Sequence, residues 1–184
     1  MIDNLTETLT QLRDEAYNDA KEKGLLDKGS PDSHWFALMS ADIAAAALAE
    51  EAGEHVNQYG YDLFARDDDD NEDFIHNYSC FIKDTMEDKI ASACIRILAF
   101  MGMRDFAVTY RMDGLVSFIT EKIDKSEAFT KVVYSIWFAP SVLLEGHSAA
   151  HCLTLAAILA YCELHGIDIL RYIELRMAYN RITE

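Results

Sequence analysis

Apolar residues recur along the chain at steps of three and four, the period of an α-helix. Leu5, Leu9, Leu12, Ala16 and Ala20 share one face of a first helix predicted over about 3–23. Gly24 stands where a left-handed cap belongs, and Lys21 and Lys23 suit the negative end of the helix dipole. After Gly29-Ser30-Pro31, either Asp32 or Ser33 is placed to cap a second helix, over 34–58. Its inner line is Phe36, Met39, Ile43 and Ala47. The acidic run 66–73 reads as a solvated loop, because neighbouring Asp side chains repel and prefer caps to helix interiors. It lacks the spacing of a calcium loop. A third helix is predicted from Phe74 to Gly102, with a break near Asp84. Segments at 105–122 and 126–138 precede Pro140. Helices over 142–165 and 168–182 flank Gly166, the second with Asp168 as its N-cap.

Composition supports an all-α helical bundle. Gly and Pro number 8 and 2, too few for a sandwich or barrel with frequent tight turns. With 51% hydrophobic residues, 184 residues suffice for a buried core. No polar linker divides the chain, so a single domain over 1–184 is expected. Thirty-two acids against 16 bases leave a net charge of −16. That charge argues against nucleic acid and against anionic membranes as partners. The longest apolar run, near 153–162, is too short to span a bilayer. Met1-Ile2-Asp3-Asn4 opens no basic, apolar leader. Cys80, Cys94, Cys152 and Cys162 form no C-x-x-C pair and read as buried thiols, so a reducing, cytoplasmic setting is expected.

Candidate chemistry begins at the end of the second helix. Extending its inner line by the same steps reaches Glu51 and then Glu54, with Glu50 alongside. Unpaired carboxylates on an inward face cost several kcal/mol each and call for a cation. Acids one turn apart, directed into a bundle, are a way of holding a divalent metal. The plainer reading is that these glutamates solvate a helix end, and an E-E-x-x-E cluster alone does not separate the two. His147 and His151 have the i,i+4 spacing of shared metal ligands, without H-E-x-x-H or a third ligand. No phosphate loop, dinucleotide fingerprint or nucleophile elbow occurs. Tyr110, Phe118, Tyr134, Trp137 and Phe138 read as core or subunit packing. Arg176, Tyr179, Asn180 and Arg181 fit a nucleotide-facing surface and a plain terminal helix face equally well.

Four blocks add to this: AKEKG at 20–24, AEEAGE at 49–54, IKDTMEDKIASACIRIL at 82–98, and GIDI with IELRMAYN at 166–169 and 173–180. In that order they resemble the MazG-like nucleotide pyrophosphohydrolases, leaving about 104–144 as a helical insertion. The resemblance implies an all-α fold, assembly as a dimer or tetramer, and hydrolysis of a nucleoside triphosphate to monophosphate and pyrophosphate. It also implies Mg²⁺ (or Mn²⁺) held by an E-x-x-E and an E-x-x-D pair, with the metal neutralising the triphosphate and activating water.

Glu51 and Glu54 match the first pair. At the second pair the chain has Lys89 and Ser92. At about 100° per residue these share a flank with Thr85 and Arg96, beside the stripe Ile82, Met86, Ile90, Ala93 and Ile97. Asp84, Glu87 and Asp88 fall on the opposite flank or the polar back. Two readings follow. In the favoured one, Lys89 and Arg96 replace the metal's charge by pairing with Glu51 and Glu54. The chain is then a catalytically silent nucleotide-binding or assembly module that needs no metal. In the other, Glu87 or Asp88 joins Glu51 and Glu54 around Mg²⁺, Lys89, Ser92 and Arg96 face the substrate, and the chain is a hydrolase with a weakened metal shell.

Overall fold

The computed structural model describes residues 4–26, 32–57, 71–109, 111–134 and 148–183. They form an all-α bundle: α1 (Leu5–Glu22), α2 (Asp32–Ala52), α3 (Asn71–Phe81), α4 (Met86–Met103), α5 (Met112–Thr120), a π-helical turn (Thr130–Tyr134), α6 (Ser148–His165) and α7 (Ile169–Thr183).

The third predicted helix is two helices, α3 and α4, divided where Asp84 takes a left-handed φ of 70°. Thr85 then caps α4, its hydroxyl accepting the Asp88 amide at 3.4 Å. α2 is shorter than predicted. Gly53 adopts φ 71°, which an L side chain resists, and the Glu54 amide folds back onto the Ala49 carbonyl at 2.9 Å. Glu54 therefore lies beyond the helix. Asn71, Glu72 and Asp73 belong to the first turn of α3 rather than to a loop, where acids complement the dipole. Residues 66–70 lie outside the described residues.

α4 is the hub of the bundle, packing against α1, α2, α6 and α7. Its contact with α1 is close: a Cβ on Gly102 would stand 2.6 Å from the Tyr17 Cβ. α6 is apolar on nearly every side and lies buried between α4, α5 and the π-helical turn. The expected insertion shares this core, since Met112, Val116, Ile119, Phe129 and Val133 join the same buried cluster.

One packing expectation is corrected: Cys80 is exposed, while Cys94, Cys152 and Cys162 are buried. Phe118 is 60% exposed, so it packs in no core of this chain. His151 is fully buried among the rings of Phe36, Phe100 and Phe106. His147 and the side chains of Tyr110, Tyr134, Trp137 and Phe138 lie outside what the structure describes. Among the described residues no single helix is long and apolar enough to cross a membrane. α6 and α7 pass that test as a pair, but they meet at 113° and bury their apolar residues inside the bundle.

Candidate functional site

The end of α2 meets the start of α4, as the sequence predicts, but with different side chains facing inward. The buried line of α2 runs Trp35, Met39, Ile43, Ala46 and Ala49. Repeated steps of four overshoot a 3.6-residue turn by about 40° each, so a line drawn through Ala47 to Glu51 rotates out of the core. Alternating four and three leads instead to Glu50. Glu51 and Glu54 are both exposed. Glu50 is half-buried, and its carboxylate accepts the Phe129 amide at 2.9 Å and the Tyr161 hydroxyl.

On α4 the expected order is also reversed. Glu87 and Asp88, assigned to the flank or back, are 6% and 0% exposed. The reason is the hub position: with neighbours on so many sides, the first turn of α4 has no wet back. Asp88 accepts both contacts of the Arg176 guanidinium, at 2.7 and 2.9 Å, together with the Asp84 amide at 2.9 Å and the Tyr78 hydroxyl. Burial, and next the Asp88 charge, raise the pKa of Tyr78. Tyr78 stacks on Tyr179 at 4.4 Å, so one carboxylate ties α3, α4 and α7 together. Glu87 accepts the Val56 amide at 3.0 Å, and His55 Nδ1 lies 3.2 Å from its other oxygen. With the Met86 amide donating to the Glu54 carbonyl at 2.6 Å, these bonds strap residues 54–57 across the start of α4.

Lys89 and Arg96 do not pair with Glu51 and Glu54. Lys89 is hydrogen-bonded to Asp84 across the helix break, and that bond is the leading cause of the lowered pKa of Asp84. Arg96 binds Asp42 on α2. Ser92 is half-buried on the same flank. Arg176 is the residue that sequence reasoning undervalued; its one signal was an Arg on the turn of α7 that carries the apolar Ile173 and Met177. Tyr161 and His55 gave no signal.

No family model, curated protein or solved structure matches this chain. Among the described residues no three acid, His or Cys side chains converge as a metal site. Asp88 is occupied by a guanidinium, Glu87 by a backbone amide and an imidazole, and Glu50 by an amide and a phenol. Mg²⁺ asks for nearly ideal octahedral oxygen ligation. The donors present do not fit it.

Proposed function

We propose that this chain is a catalytically silent, MazG-like helical module, one in which the acids of the site hold the bundle together and the protein serves in binding or assembly. One observation carries the reading: Lys89 and Ser92 stand where the resemblance calls for the second pair of metal-binding acids, and the neighbouring acids Glu87 and Asp88 are bound by Val56, His55 and Arg176 instead. The internal pairing of Lys89 with Asp84 and Arg96 with Asp42 supports it, because neither base is left over to meet a triphosphate.

The test is pyrophosphate release from a panel of nucleoside triphosphates with Mg²⁺ or Mn²⁺. The expected result is no release above the protein-free control, with or without Glu51→Gln. Release that vanishes in Glu51→Gln would establish the pyrophosphohydrolase reading instead. Equilibrium dialysis against the same triphosphates, and sedimentation across a concentration series, then separate nucleotide binding from self-assembly.

A further inference from the structure

Beside the turn joining α6 to α7 lies a cleft of about 180 Å³. Its inner wall is Glu87 and Tyr172, each 6% exposed, and Val56, Asn57, His165 and Asp168 are among its other lining residues. Room for about six waters is room for a four-carbon amine. The cleft is distinct from the Asp88–Arg176 pair, which is turned toward α3 and α7.

We propose that this cleft binds a small organic cation of the alkylammonium class, its charged head received by Glu87 and its stem lying along Val56 and Tyr172. A carboxylate offers about four lone-pair positions. Among the described residues Glu87 uses one for the Val56 amide and one toward His55, leaving two for a donor arriving from the cleft. Among the described residues no Lys or Arg lines the space, so none of them answers the charge of Glu87 with a permanent cation. An ammonium group donates up to three charge-assisted hydrogen bonds, and the Asp168 carboxylate at the rim adds an acceptor.

Anions are disfavoured. Burial lowers the pKa of His165, which keeps its ring uncharged near neutrality. The positive end of α7 is already met by Asp168, whose carboxylate accepts the Arg171 amide at 3.3 Å. A hard divalent ion would want six or more oxygens, and no such group converges here among the described residues.

Calorimetric titration of the full chain with butylammonium chloride tests this, against sodium chloride at equal ionic strength and 1-butanol as the neutral analogue. Saturable binding of butylammonium alone is expected, with amide NMR shifts at 56–57 and 165–168. Glu87→Gln should weaken it about tenfold or more, as loss of a charge-assisted bond does. Asn57→Lys sets a fixed ammonium at the rim and leaves the bonds of Glu87 in place, so it should weaken binding to a similar degree in a folded protein. Equal affinity for 1-butanol, unchanged affinity in a folded Glu87→Gln protein, shifts confined to other residues, or displacement by a lower concentration of Mg²⁺ would each overturn the proposal.

Discussion

Asp88 has no exposed surface, yet it carries a formal charge met by a guanidinium, a phenol and an amide. Removing one partner of such a buried pair strands the other, at about 3–5 kcal/mol. Arg176→Met should therefore lower the unfolding free energy by about that amount in urea titrations. Adding Asp88→Leu should return part of the loss, because no charge is then left inside, although the Tyr78 hydroxyl goes without its acceptor. A double variant as unstable as Arg176→Met alone would show that the pair contributes through packing instead of charge. The sequence made the acids of this region visible but sorted them wrongly. Steps of four drift round a helix, so the line they trace reaches Glu51 and Glu54 while the core face turns toward Glu50. A single apolar stripe implies a wet opposite side and so places Glu87 and Asp88 outward, whereas α4 has neighbours on several sides and buries both. The partners of Asp88 come from positions up to 88 residues away, and local periodicity carries no such information.

At the scale of elements the chain was far more legible. Gly24 and Gly166 end α1 and α6 with φ of 67° and 70°, and Asp168 caps α7. Asp84 breaks the long apolar segment in two, where the sequence placed a break. Each of these signals is local: a backbone conformation or a cap is written in one or two residues. What stayed hidden is the hub role of α4, since how many helices surround another depends on the whole assembly. The α1–α4 contact offers a direct check. Gly102→Ala would press a methyl group against Tyr17 and the Arg13 carbonyl, so the helices must move apart or Tyr17 must turn. A loss of about 1–3 kcal/mol is expected, read as a fall in Tm of roughly 2–10 °C by calorimetry. An unchanged Tm would mean that the two helices slide apart freely.

Across the molecule, acidic excess and buried proton donors act together as pH rises. Burial, and for the tyrosines a neighbouring carboxylate, raises the pKa values of Tyr78 and Tyr161, and burial pushes the Cys94 thiol up to about 12. The folded chain thus holds these protons more tightly than the unfolded chain, in which thiols titrate near 8.5 and phenols near 10. Their contribution to stability is complete below about pH 8.5 and drains away as pH climbs from there toward the raised folded values. Thermal unfolding followed from pH 7 to 11 should show Tm falling steadily above about pH 9. A flat profile to pH 11 would show that these groups ionise without unfolding. The cysteines differ in a further way. Cys80 stands on the outer face of α3, with the His76 ring nitrogen 3.8 Å from its sulfur, while the other three are enclosed by the bundle. A maleimide dye thus has one point of attachment on the intact molecule and four on the opened chain, which makes alkylation a clock for how often the bundle breathes.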